Sequence, residues 1–331
     1  MIGLVGAAAL VTACGATPRA AGPTGTSGAA TTQPTTSPTT SPSPTTAPSP
    51  SGGTGSGAPV VPTSGAYLGA WLHPTAAVAG SPSFVVEQQA LPAVRAATGH
   101  PLGILHLYVG WRQPAPVADL AAVAAAGSVP LLDWGCAPDG PQVAGGADDA
   151  LITRFATALR TYGGPVLLRW CWEMNLVGSH PGVGGPVGFT TAWSHIRALF
   201  TSAGADNVSF VWCPALSGAD PTPYFPGASE VDWIGIDGYD RSGTETFGSL
   251  FTSFYRQWVG QGKPLLVAET GSSGSSQPAF IASIGTDLPA LPEIKGVVYF
   301  DAPGPAAPWE FTPAGLAAFA ALAREPYFQP S

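Results

Sequence analysis

From about residue 66 onward, short apolar runs alternate with longer segments in which apolar positions recur every three to four residues. The short runs read as strands buried on both faces, and they cover residues 67–73, 102–111, 129–136, 165–175, 207–214, 231–239, 264–270 and 295–301. Helical spacing predicts helices over 85–98, 117–126, 149–162, 190–202, 247–259, 277–288 and 314–324. The stretch after Pro214 is loop-like, so the helix expected there is short or replaced. Alternation of this kind implies a parallel sheet covered by helices. Eight repeats favour closure into a single (β/α)8 TIM barrel, an α/β fold, over an open doubly wound sheet. No Gly-x-Gly-x-x-Gly follows the first strand, so a dinucleotide-binding fold has no support.

The segment before the barrel is of a different kind. Residues 1–13 are apolar and rich in Ala and Gly but lack a basic n-region, so the start lies upstream or the signal is atypical. Val11-Thr12-Ala13-Cys14 resembles a bacterial lipobox, which makes 1–14 a signal segment and Cys14 the lipidated residue. The competing reading is an ordinary signal peptide with a chance cysteine. The apolar run is too short to span a bilayer. Residues 15–62 repeat Thr, Ser and Pro without hydrophobic periodicity and cannot bury enough surface to order themselves, so they read as a disordered spacer. Residues 63–331 then form the barrel, close to the ~250 residues one such domain needs. The expected location is extracellular, at the cell surface through Cys14, or else fully secreted.

Charge and cysteines narrow the choice. A net charge of −8 with 12 Lys plus Arg and no basic cluster excludes nucleic acid as a partner. Low charge and 10 Trp suit an uncharged, stackable ligand such as a sugar, although any single Trp is better read as core. Cys136, Cys171 and Cys213 fall at the ends of the third, fourth and fifth predicted strands. Two readings stand: one disulfide with one buried thiol, or three buried thiols. A thiolate metal site would want CxxC spacing or a paired His, and the chain has neither, so no metal is expected.

Two strands end in chemistry. In Pro165-Val-Leu-Leu-Arg-Trp-Cys-Trp-Glu-Met-Asn175 an apolar run gives way to charge and aromatics, delivering Glu173 to the C-terminal rim where barrel active sites lie. Lys263-Pro-Leu-Leu-Val-Ala-Glu-Thr-Gly271 delivers Glu269 in the same manner. Strand alternation puts Arg169, Cys171 and Glu173 on one face with Trp170 and Trp172 on the other, and gives Leu265, Val267 and Glu269 a shared face. Two carboxyl groups at one rim are the equipment of glycoside hydrolysis. One of them, near the other and among aromatics, is pushed toward protonation, while its partner stays ionised with help from a donor such as Tyr239. The competing reading for either Glu is a structural ion pair with Arg169. Trp71, Trp111, Trp134, Trp212 and Trp309 are candidate sugar platforms, Trp309 foremost because it follows the eighth strand in a Pro/Gly-rich loop. His73 and His106 lie on predicted strands, His180 reads as a solvated loop residue, and Asp133, Asp237, Asp240 and Asp301 as structural or hydrogen-bonding carboxylates.

Arg169-Trp-Cys-Trp-Glu-Met-Asn175 resembles the Arg-x-x-His-Glu-Met-Asn segment of glycoside hydrolase family 26, the β-mannanase family. Trp193 with Gly204-Ala-Asp-Asn-Val-Ser-Phe-Val-Trp-Cys-Pro214, then Tyr224-Phe-Pro-Gly227, Val231-Asp-Trp-Ile-Gly-Ile-Asp-Gly-Tyr239 and 263–271, are similar to later segments of that family in the same order. The resemblance implies a retaining hydrolase with Glu173 as acid/base, Glu269 as nucleophile and Tyr239 positioning Glu269. It adds Trp172, Arg169 and Asn175 to Tyr239, Trp134 and Trp309 as substrate-binding candidates. Trp172 stands where the family carries His, which keeps a stacking surface but loses a titratable group. The expected activity is an endo-β-glycosidase acting on a polysaccharide or oligosaccharide, foremost β-1,4-mannan, as a monomer without cofactor and touching membrane only through its lipid. Lichenase-like or β-1,3-xylanase-like specificity, or a non-catalytic glycan-binding protein, are the alternatives.

Overall fold

In the computed structural model, residues 57–72, 91–176, 178–302 and 309–329 are described. Expectations for Cys14, His73 and the start of the first predicted helix lie outside them. Eight strands, β1 (Tyr67–Leu72), β2 (Ile104–Val109), β3 (Val129–Trp134), β4 (Val166–Trp170), β5 (Val208–Trp212), β6 (Trp233–Asp240), β7 (Leu265–Ser272) and β8 (Ile294–Asp301), pair in parallel and in sequence order, and β8 closes on β1. The helices are α1 (Leu91–Thr98), α2 (Val117–Ala125), α3 (Gly140–Ala144), α4 (Asp149–Tyr162), α5 (Gly185–Ala203), α6 (Phe247–Trp258), α7 (Gln277–Asp287) and α8 (Pro313–Ala323). None among the described residues is long and apolar enough to cross a membrane.

Period-two alternation separates two cores. Side chains such as Ile104, Leu131, Leu167, Val211, Leu266 and Val298 fill the barrel interior. Their neighbours Leu105, Leu132, Leu168, Phe210, Leu265 and Val297 meet the helix layer. The helices answer with apolar stripes: α4 buries Ile152, Phe155, Ala156 and Leu159, the i, i+3, i+4, i+7 spacing of one face, and stops at Gly163, whose φ of 74° closes the helix in the left-handed region. Helix α6 starts at a capping box between Thr246 and Ser249 and buries Phe247, Phe251, Phe254 and Trp258. Between β5 and β6 only 3-10 turns occur, at Thr222–Tyr224 and Ala228–Glu230, in keeping with the loop-like sequence. Helix α3, capped by Asp139, was not foreseen, because five residues are too few to show a period.

Two strands depart from simple alternation at their upper ends. β4 stops at Trp170 rather than continuing to residue 175, because Cys171 and Glu173 take positive φ (51° and 53°). On β7, Val267 lies opposite Ile236 but Glu269 opposite Asp237, a bulge that absorbs one residue. Leu265 and Val267 therefore face the helices with Leu266 and Ala268 inside, and Glu269 comes inward through the bulge rather than by shared parity with Val267.

Of the two cysteine readings, the first is realised. Cys136 and Cys171 form a disulfide with Cα atoms 4.1 Å apart, tying the exits of β3 and β4, while Cys213 is a buried free thiol. The bridge spans a sequence separation of 35. Closing a loop of that size removes unfolded-state entropy, so the Cys136→Ser/Cys171→Ser double variant is expected to lose about 2–4 kcal/mol of unfolding free energy in urea titration.

Candidate active site

At the C-terminal end of the barrel the inward positions change from apolar to charged. His106, Asp133, Arg169 and Asp237 follow Ile104, Leu131, Leu167 and Gly235 by two residues on β2, β3, β4 and β6, and all four are buried. Arg169, fully buried, is the hub. Its Nε donates to Asp133 Oδ1 at 2.6 Å, its Nη1 to both oxygens of Asp237 at 2.6 Å, and its Nη2 to Asp133 Oδ2 and Glu269 Oε1. His106 Nε2 lies 3.0 Å from Asp133 Oδ2, and the Cys213 thiol donates to Asp237 Oδ1 at 3.3 Å. Burial alone would lower the guanidinium's pKa, and the three carboxylates more than reverse it, so Arg169 is cationic at every working pH.

Glu269 is held from three sides. Besides Arg169 on Oε1, the Tyr108 hydroxyl donates to Oε1 at 2.7 Å and the Tyr239 hydroxyl to Oε2. Burial and then the Glu269 charge hold both phenols well above their ordinary value, so both remain donors. Tyr108 was not singled out from sequence; its two-residue spacing from His106 on β2 was the available signal.

Glu173 sits in the turn after β4, where its backbone N–H donates to the Cys213 carbonyl at 2.8 Å. Its carboxyl is pushed up to about 7, first by burial and then by the charge of Glu269, with Arg169 and Arg241 opposing. The site therefore holds one carboxylate gripped by three donors and a second carboxyl poised to keep or give a proton near neutrality.

Aromatic rings wall this pair. Trp172 meets Tyr108 edge-on at 5.2 Å between centroids, with the Arg169 guanidinium 5.8 Å from its ring centroid. Trp71 stacks on Phe300 at 4.6 Å, and Trp309 on Tyr239 at 4.9 Å. His180 is not a solvated loop residue: it is partly buried, approaches Trp172 edge-on, and burial lowers its pKa.

The fold thus brings together Glu173, Glu269, Tyr239, Trp172, Arg169 and Trp309. It places two candidates elsewhere. Trp134 points into the helix layer, fully buried between Trp111 and Phe155, because its strand parity faces outward. Asn175 commits its amide to backbone, donating to the carbonyls of Ala215 and Ala219 and accepting from Ala215 N–H, so it staples the loop after β5 rather than facing a ligand. Arg169 meets carboxylates instead of open solvent, which makes it an organiser of the site rather than a surface for substrate. Trp111 and Trp212 are likewise core. Among the competing carboxylates, Asp240 caps the turn at 243–245 and Asp301 accepts from Phe311 N–H. His106, Asp133 and Glu269 present ligand atoms close enough to hold a cation, but the Arg169 guanidinium already bonds Asp133 and Glu269 and approaches His106 Nε2 at 3.3 Å.

No profile of a known protein family matches the chain. Over 234 residues, 63% of its length, it is 29% identical to endoglucanase H of Acetivibrio thermocellus, and it covers 24% of that much longer protein. Among solved structures, a mannanase of Bacillus subtilis superposes with a TM-score of 0.57 at 20% identity, covering 78% of this chain and 85% of that one. A family 26 β-mannanase from Bacteroides ovatus gives 0.57 at 16% identity over 80% and 90%. A β-mannanase from a protist symbiont of the termite Reticulitermes speratus, solved with a gluco-manno-oligosaccharide, gives 0.59 at 16% identity over 80% and 88%. At these identities the structural likeness establishes the shared barrel.

Replacing Arg169 by Met leaves three buried carboxylates without their cation, which is expected to cost about 3–5 kcal/mol of stability by chemical denaturation. Burial pushes the Asp237 carboxyl up and Arg169 opposes it, so without the guanidinium Asp237 binds a proton still more readily folded than unfolded and the deficit should be smaller at pH 5 than at pH 8. A deficit that does not depend on pH would show that Arg169 contributes packing rather than charge.

Proposed function

We propose that this chain is a retaining β-glycosidase in which Glu269 is the nucleophile and Glu173 the acid/base. The observation that carries the reading is the unequal environment of the two carboxyls: Glu269 accepts from Arg169, Tyr108 and Tyr239, while burial and the Glu269 charge push Glu173 up to about 7. In the first step a Glu269 oxygen bonds the anomeric carbon as the bond to the leaving oxygen breaks, and the Glu173 proton goes to that oxygen. In the second, water attacks the anomeric carbon, gives its proton to the Glu173 carboxylate, and the bond to Glu269 breaks.

For substrate we propose a β-1,4-linked glycan, with mannan first, cleaved internally. The barrel shared with β-mannanases and the aromatic walls around Glu269 support this reading. An endoglucanase-type or lichenase-type substrate is the second reading, favoured by the 29% identical endoglucanase and by Trp172, whose indole offers one donor and no acceptor. We propose further that Cys14 is lipidated and that the Thr/Ser/Pro-rich chain after it holds the barrel off a cell surface; the lipobox-like Val11-Thr12-Ala13-Cys14 supports this. The end of the expected spacer, residues 57–62, belongs with the barrel, where Pro59 and Pro62 are buried and the Tyr67 hydroxyl donates to the Val60 carbonyl.

Product analysis on mannan, glucomannan, mixed-linkage β-glucan and β-1,3-xylan tests the reading, with Glu269→Ala and Glu173→Gln beside the wild type. Hydrolysis should vanish in Glu269→Ala. Because Glu173 must carry its proton to act as acid, kcat/KM should fall as pH rises through about 7, and Glu173→Gln should lose that basic limb. Hydrolysis that survives in Glu269→Ala overturns the assignment.

A further inference from the structure

Beside the reacting pair lies a cavity of about 170 Å³ that the two carboxyls do not share: Glu173 lines it and Glu269 does not. Tyr239, whose hydroxyl reaches Glu269, forms the wall nearest the nucleophile, and Leu216, Ser217, Asp237, Gly238 and Arg241 line the rest; the Asp237 carboxyl is bonded to Arg169. Resting on the assignment of Glu173 as acid, this cavity is on the leaving-group side, because the departing oxygen must sit against the proton donor and away from the nucleophile.

Arg241 is the cation on this cavity. It is solvent-exposed, and among the described residues no carboxylate forms an ion pair with it, in a chain whose net charge is −8. Two aromatic rings flank it. The guanidinium carbon lies 5.6 Å from the Tyr239 ring centroid and 5.9 Å from that of Trp309, two rings that themselves stack. A guanidinium held by aromatics keeps its planar fork of N–H donors and loses little entropy on accepting a partner. We propose that Arg241 is the specificity residue of a leaving-group subsite, gripping two neighbouring oxygens on the sugar that departs. Vicinal hydroxyls of a neutral sugar and the carboxylate of a uronic acid both present such a pair.

The test compares the full-length wild type with Arg241→Ala on two substrates sharing a glycone. One is mannotetraose, or cellotetraose if that is what the wild type cleaves. The other is the matching 2,4-dinitrophenyl β-bioside, whose leaving group has no sugar oxygens and leaves without a proton. The ratio of kcat/KM, tetrasaccharide over aryl glycoside, is expected to fall at least tenfold in Arg241→Ala. A ratio within twofold of the wild type overturns the assignment of Arg241. Repeating the comparison with the leaving sugar oxidised to a uronate identifies the oxygen pair, by which version loses more. Absence of wild-type turnover on both substrates, or turnover that survives in Glu269→Ala, overturns the catalytic reading itself rather than Arg241 alone.

Discussion

One guanidinium inside the barrel answers to three carboxylates. Asp133, Asp237 and Glu269 project from β3, β6 and β7 toward Arg169 on β4, and all four side chains are all but excluded from water. Buried charges of one sign cannot coexist at such separations without a counterion. Arg169 meets the demand because its donors lie in a rigid plane, so single atoms can serve separate partners. One cation does not fully offset three buried carboxyls: burial holds Asp237 well above its ordinary value although Arg169 pulls it down. Arg169 is committed to Glu269 and the two aspartates, and Glu173, not bonded to it, is pushed up to about 7 first by burial and then by the Glu269 charge. The difference between the two glutamates therefore follows from the burial of Glu173 together with the use of Arg169 on Glu269.

The backbone irregularities that place the two glutamates lie at this same level of the barrel. The bulge that turns Glu269 inward is on β7, and the two non-glycine residues with positive φ among the described residues, Cys171 and Glu173, are in the turn after β4. Such conformations cost energy and persist only where neighbours hold them. Here the holders are visible: the bridge from Cys171 to Cys136, the hydrogen bond from Cys171 N–H to the Trp134 carbonyl, and that from Glu173 N–H to the Cys213 carbonyl. The bulge on β7 and the turn after β4 are what aim the two carboxyls.

That division explains which features were legible in the sequence. Apolar runs and helical stripes report burial, so all eight strands and most helices could be placed, while the short α3 could not. Glu173 and Glu269 were found because each interrupts an apolar run at a strand exit. Parity arguments held only while the strands stayed regular. They separated Arg169 from Trp170, but failed beyond Trp170 and across the bulge before Glu269, where one inserted residue changes the face. Applied to β3, the same rule would have turned Trp134 toward the helices, since it neighbours the inward Asp133. Tyr108 escaped notice because a tyrosine on an apolar strand looks like core until its partner from β7 is known. Contacts separated by 161 residues leave no local trace.

The donors around Glu269 carry one more consequence. Oε1 receives both Tyr108 and Arg169, whereas Oε2 receives Tyr239 alone. A carboxylate oxygen offers two lone-pair directions, so Oε1 has both engaged and Oε2 keeps one open. In the proposed reaction the bond to the anomeric carbon then forms at Oε2, and Oε1 becomes the carbonyl oxygen of the ester. When water releases the sugar, the charge returning to the carboxylate spreads onto an oxygen already held by a cation and a phenol, so these donors act on both halves of the reaction. Tyr239 occupies the other position: its hydroxyl must share Oε2 with the sugar, and its ring, stacked on Trp309, stays in place while it does so. The two tyrosines are thus chemically alike and mechanistically distinct, and the difference is set by which oxygen each one reaches.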